Sequence, residues 1–141
     1  MKTPNIGRVQ MRIMQCLWSQ GRANAREITD LLSAEEPIAH STVQTLLRKL
    51  EEKNVVAHDS EDRTFVFYPL VKEHDYKKGA TQELIGRFFE GSPSELFAFL
   101  LENETVDSEE LAKIRQLIQK KKALFLFRID IVRIGETSYN A

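Results

Sequence analysis

The sequence holds a single cysteine, Cys16, so no internal disulfide can form and no multi-thiolate metal site can be assembled within one chain. A reducing compartment, the cytoplasm, is the expected home. Histidine is scarce as well: His40, His58 and His74 lack metal-ligand spacing and read as surface or capping residues, so no metal or other cofactor is expected. No long apolar stretch follows Lys2; the segment is amphipathic, with Arg8 and Arg12 inside it, which argues against a signal peptide. With 4 prolines and 6 glycines, no low-complexity linker interrupts the chain, and no internal repeat is visible. Acidic pairs such as Glu35-Glu36 and Glu109-Glu110 lie beside helix boundaries, where capping explains them, and no nucleophile and base accompany them. An enzyme is therefore not expected.

A charge excess of either sign is also missing, the formal net charge being -1. The distribution is uneven: residues 1–72 carry 10 Lys and Arg against 9 Asp and Glu, residues 73–119 carry 5 against 10, and residues 120–141 carry 5 against 2. The acidity sits mostly in the middle. A nearly neutral N-terminal region can still meet a polyanion if its cations share one face, because affinity follows local contacts and the field around them.

What is present is a chain of 141 residues, 42% apolar and 29% charged, the balance of a folded protein with a core. That length holds one small domain plus an accessory region, or one domain of ordinary size. From Ile6 to Gln20, apolar residues recur at Val9, Ile13, Cys16 and Leu17 near helical spacing, and Gly21 stands where a helix would end. Cys16 and Trp18 are expected in or against the core. Asn24-Ala25-Arg26-Glu27 has the capping spacing of a short polar side chain followed by Glu, so a second helix should begin there and use Ile28, Leu31 and Leu32. It should stop before Pro37.

A third helix is predicted from Ser41 to Lys53. Val43, Leu46, Leu47 and Leu50 form one stripe for burial, and the opposite face carries Ser41, Thr42, Thr45, Arg48, Lys49 and Glu52. Asn54 can adopt the left-handed conformation that closes a helix. Val55 to His58 and Thr64 to Tyr68 then read as two short strands around a polar turn at Asp59 to Arg63, with Pro69 as the boundary. Three helices followed by a hairpin is the order of a winged helix-turn-helix.

Beyond it the pattern is helical again. Residues 72–89 are helix-prone with Gly91 as a stop, Ser92-Pro93-Ser94-Glu95 starts another helix, and Asp107-Ser108-Glu109-Glu110 a third. These are too short and one-sided to bury themselves without a partner, and Leu84, Phe88, Leu96, Leu100, Leu111, Ile114, Leu117 and Ile118 are the apolar residues left for it to cover. The apolar stretch from Ala123 to Ile134 contains Arg128, Asp130 and Arg133 and is too short for a membrane span. Alternation at Phe127, Ile129 and Ile131 allows a strand, while continuity with Lys120 to Lys122 allows a longer helix.

The exposed face of the third helix suits the major groove of DNA, where bases are distinguished by hydrogen bonds and the thymine methyl group. Ser41, Thr42 and Thr45 are short enough for close approach, and Gln44 can pair with adenine. Arg48, Lys49 and Lys53, nearer the end that leaves the groove, and Arg63 at the hairpin tip suit phosphates. The same residues also serve blander ends, since hydroxyls at a helix start cap it and outward cations are often merely solvated.

Through Ile13 to Trp18, Ala25 to Ile28, and above all Ser41-Thr42-Val43-Gln44-Thr45-Leu46-Leu47-Arg48-Lys49-Leu50-Glu51-Glu52-Lys53, the sequence resembles the penicillinase-repressor family of bacterial regulators, the BlaI/MecI/CopY type. The likeness continues through Phe67-Tyr68-Pro69 and covers about residues 6–120. It implies a winged helix followed by a helical dimerisation region, a two-fold dimer on a palindromic DNA operator with TACA/TGTA-like half-sites, and repression as the outcome. Three features depart from that family. Phe99-Leu100 stands where the antibiotic-sensing branch is cleaved at an Asn-Phe bond. No cysteine follows Cys16, unlike the copper-sensing branch, and Asn54 replaces the usual Gly. Neither proteolytic control nor thiolate sensing is therefore carried over.

The expected fold is mainly α with a small β-hairpin wing: a winged-helix domain over residues 1–71, a helical dimerisation region over 72–122, and an apolar tail over 123–141. The expected function is a dimeric, sequence-specific DNA-binding repressor without membrane attachment. The rival is a winged-helix module that docks a protein partner with the same polar face.

Overall fold

The computed structural model describes residues 3–103 and 105–139, with side-chain surroundings up to residue 128. Helix α1 (Arg8–Gln20) ends at Gly21, whose φ of 82° lets its N–H reach back to Leu17 O at 2.7 Å. Helix α2 (Ala25–Ser33) is capped by Asn24, whose Oδ1 accepts from the Glu27 N–H at 2.8 Å. Such a cap stabilises a helix start by about 1 kcal/mol. Helix α3 (His40–Glu52) closes through Asn54 at φ 61°, which turns the chain so that the Val55 N–H bonds Leu50 O at 3.0 Å.

A three-stranded antiparallel sheet follows the order β1 (Ala23–Asn24), β3 (Thr64–Pro69), β2 (Val56–Glu61). The polar turn expected over Asp59–Arg63 is shorter than its composition suggests. Asp59, Ser60 and Glu61 pair with Val66, Phe65 and Thr64, and only Asp62 and Arg63 turn the chain, both at positive φ (48° and 65°). Two successive positive φ values make a tight turn whose twist matches the hairpin.

The periodicities converge on one core. Ile13, Met14 and Leu17 from α1, Ile28 and Leu32 from α2, and Val43, Leu47 and Leu50 from α3 meet Val55, Val56 and Phe67. Burying each large side chain contributes roughly 1.5–3 kcal/mol. Leu46 and Trp18 are half-buried at its edge, and Leu31 is exposed. Cys16, expected inside, is also only half-buried, because the innermost stripe of α1 runs through Gln10, Ile13, Met14 and Leu17.

Helix α4 (Glu73–Phe88) packs on this core through Tyr76, whose ring lies 6.0 Å from that of Trp18. The Trp18 Nε1–H donates to Val71 O at 2.8 Å, and the Tyr76 hydroxyl donates to Pro4 O at 3.2 Å. Burial, then the charge of Glu83, raises the Tyr76 pKa above the usual phenol value. The N-terminal arm runs close enough to α4 that a Cβ at Gly79 would collide with Thr3 Oγ1. The chain divides into two compact units at Gly91/Ser92, with α4 in the same unit as the helices before it.

The second unit holds α5 (Pro93–Glu102), capped by Ser92 Oγ, and α6 (Ser108–Tyr139), started by Asp107 Oδ1 accepting from the Glu110 N–H at 2.8 Å. The tail left open between strand and helix is helical through Tyr139, one uninterrupted continuation of α6. Among the described residues no helix is long and apolar enough to cross a membrane, and no cluster of three or more His, Cys, Asp or Glu could hold a metal ion.

Candidate nucleic-acid interface

Helix α3 is seated from inside by Val43, Leu47 and Leu50, all fully buried, and this fixes which residues face outward. Ser41, Thr42, Gln44, Thr45, Arg48, Lys49 and Glu52 are all exposed. The Thr45 hydroxyl donates to Ser41 O at 3.0 Å, which spends its proton within the helix and leaves its methyl group and oxygen lone pairs outward. The start of α3 is tied to α2. Thr29 Oγ1 donates to Ala25 O at 2.6 Å and lies 3.2 Å from His40 Nδ1; with the hydroxyl proton already used, the ring N–H is the donor in that second bond.

The connection between α2 and α3 is held as firmly. Arg12 of α1 donates to Leu32 O at 2.9 Å and stands 3.9 and 3.7 Å from the carboxylates of Glu35 and Glu36. The Ser33 hydroxyl both accepts from the Ile38 N–H and donates to Ile38 O, each at 3.3 Å. The angle between the two helices is thus set by backbone-directed bonds as well as packing.

The wing uses its two faces differently, as strand alternation dictates. On one face His58 stacks on Phe65 with centroids 4.1 Å apart, lies 5.5 Å from Phe67, and is hydrogen-bonded through Nδ1 to Glu51 of α3. On the other face Arg22 bonds Asp59 at 2.8 Å and Glu61 at 3.1 Å and sits 5.1 Å over the Tyr68 ring. The Asp59 bond holds the Arg22 guanidinium still more firmly in its charged form.

Between α2, α3 and the wing lies a groove of about 580 Å3, lined among others by Arg26, Gln44, Arg48, Arg63 and Phe65. Three of the residues expected from sequence, Gln44, Arg48 and Arg63, meet there. Ser41, Thr42, Thr45 and Lys49 lie on the outer face of α3 and do not line it. Lys53 is turned away, its ammonium donating to Asn5 O at 2.6 Å. Arg26 and Phe65 were not foreseen. In the sequence Arg26 falls in a capping pattern and a family-like segment that already account for it, and Phe65, at 53% exposure, stands where the hairpin outruns the core.

The residues expected to dimerise fall in both units. Leu84 and Phe88 are exposed on α4, Leu96 and Leu100 half-buried on α5, Leu111, Leu117 and Ile118 exposed on α6, and Ile114 half-buried.

Three helices, a short sheet and a hairpin beside the third helix define a winged helix-turn-helix protein. Residues 6–120 match the model of the family described as Penicillinase repressor, and the chain belongs to that family. This is a family of transcriptional repressors, not of enzymes. Among its relatives, the penicillinase repressor of Bacillus licheniformis is 28% identical over 121 residues, spanning 86% of this chain and 94% of that protein. The methicillin resistance regulatory protein MecI of Staphylococcus aureus is 24% identical over 120 residues, spanning 85% and 98%. A solution structure of monomeric Bacillus licheniformis BlaI in complex with the blaP half-operator is 32% identical, with a TM-score of 0.46 over 53% of this chain and 92% of that one.

Proposed function

We propose that this protein binds a palindromic DNA operator as a homodimer in the cytoplasm and represses transcription there. The observation that carries the reading is the groove flanking α3, where Arg26, Arg48 and Arg63 converge from three elements beside an outward face of small hydroxyl residues. A helix seated in the major groove offers short side chains to base edges and longer cations to phosphates. Ser41, Thr42, Gln44 and Thr45 contact bases, and Arg48, Lys49 and Arg63, joined by Arg26, contact the backbone. Lys53 reaches phosphate only by leaving Asn5 O. Leu84, Phe88, Leu96, Leu100, Leu111, Ile114, Leu117 and Ile118 supply the dimer surface, and the half-sites are of TACA/TGTA type, as the resemblance in sequence implies.

Fluorescence anisotropy with a labelled palindrome, an unrelated duplex and a salt series tests it. Tight binding to the palindrome and a steep fall in affinity with salt are expected. Equal, weak binding to both duplexes with no salt dependence would leave the polar face of α3 as a protein-docking surface instead.

A further inference from the structure

Helix α6 runs well past residue 120, where the family match ends, and its exposed face changes character in an ordered way. Leu111, Ile114, Leu117 and Ile118 form an apolar patch. Glu110 lies one turn before Ile114, and Lys121 follows Ile118 by three residues and Ile114 by seven, so both charges fall on the patch's own face. Leu124 and Phe125, 56% and 61% exposed, continue that face one turn beyond Lys121. Glu110 makes only a loose 3.8 Å pair with Lys113, which leaves its carboxylate open.

We infer that two copies of α6 pair antiparallel, Lys121 of each against Glu110 of the other, with Leu124 and Phe125 lengthening the contact beyond the part shared with the family. This rests on the homodimer reading above. Two-fold antiparallel pairing requires that opposite charges be equidistant from the axis and that the apolar patch overlap itself. The midpoint of Glu110 and Lys121 falls between Arg115 and Gln116, and that of Leu111 and Ile118 about one residue before it. One axis position meets both requirements. A parallel pair would set Lys121 against its own copy in the apolar seam, a like-charge contact that costs stability. In the antiparallel arrangement Leu124 and Phe125 reach just past the start of the partner's α6.

Sedimentation equilibrium of the full chain tests this with Lys121→Glu, Glu110→Lys, the double exchange and Phe125→Ser, circular dichroism confirming that each keeps its helicity. Each single variant is expected to raise the dimer Kd about tenfold, and the double exchange to return it to within about threefold of the parent. A parent chain that stays monomeric overturns the homodimer reading and this inference with it. A dimeric parent with unchanged variants overturns this inference alone. Failure of the double exchange to recover excludes antiparallel pairing, an unaffected Phe125→Ser excludes the extension, and assembly beyond a dimer excludes a closed two-fold pair.

Discussion

His58 of β2 and Glu51 of α3 are hydrogen-bonded side chain to side chain, so the proposed groove-reading helix and the wing are joined directly as well as through the core. Both groups are partly buried, and the His58 ring is further held by its stack on Phe65. The wing is therefore positioned by α3, not simply tethered to it.

Replacing Glu51 with Ala should lower the unfolding free energy by about 1 kcal/mol, the usual net worth of one such bond. Amide exchange in β2 and β3 should quicken, and operator affinity should fall severalfold. Urea titration and hydrogen exchange check this, with Glu52→Ala, exposed on the same helix, as the control expected to stay within about 0.5 kcal/mol of the parent.

Arg48→Ala and Arg26→Ala should each weaken binding across all sequences and reduce the slope of log affinity against log salt by about one. Thr45→Ala should leave that slope intact and instead shift base preference by about 1 kcal/mol at one position of each half-site. Gel shifts on matched and single-base-mutated palindromes separate the two behaviours. Unchanged binding in all three variants would sink the assignment of this face.

Asn54, at φ 61°, sits where glycine is easiest and β-branched residues are worst. Asn54→Gly should keep or slightly raise the melting temperature, and Asn54→Val should destabilise by about 1–2 kcal/mol. Thermal unfolding of the two variants gives the comparison.

Burial, with a smaller contribution from Glu27, pushes the Cys16 thiol above its ordinary value of 9.0. The neutral thiol is the form the fold favours, so its contribution to stability is present below that value and is lost as pH rises through the raised one. Alkylation by iodoacetamide should be slower in the native protein than in urea, most clearly between about pH 8 and 9 where the unfolded thiol begins to ionise. Equal rates in both states would contradict the burial.

Much of the fold was legible because its signals are local. Gly21, Asn24 and Asn54 each act within a few residues, through one backbone conformation or one capping bond, and the stripe of Val43, Leu47 and Leu50 orients α3 without outside help. The errors came where composition and pairing disagree. Asp59, Ser60 and Glu61 look like a turn, yet cross-strand pairing with Val66, Phe65 and Thr64 holds them in the sheet, and Arg22, far away in sequence, bonds Asp59 and Glu61 there. β1 is too short to leave a periodic trace. The partner of Lys53 lies 48 residues away at Asn5, a contact no spacing encodes. Arg26 was hidden differently: its position in a capping sequence gives it a sufficient local explanation, and only the approach of the wing places it on the groove.

The clamp of Arg22 on the outer face of the wing has a kinetic side. Around the tight turn stand the carboxylates of Asp59, Glu61 and Asp62 and the guanidiniums of Arg22 and Arg63, so the hairpin carries no positive excess of its own. Long-range attraction to a polyanion scales with such local excess, and dwell on arbitrary duplex rises with it. Under the proposed function the hairpin itself adds little to non-specific attraction and leaves that to Arg26, Arg48 and Lys49 beside α3. In that reading the wing's own contribution rests on Arg63 meeting a phosphate at the reach its two-residue turn allows.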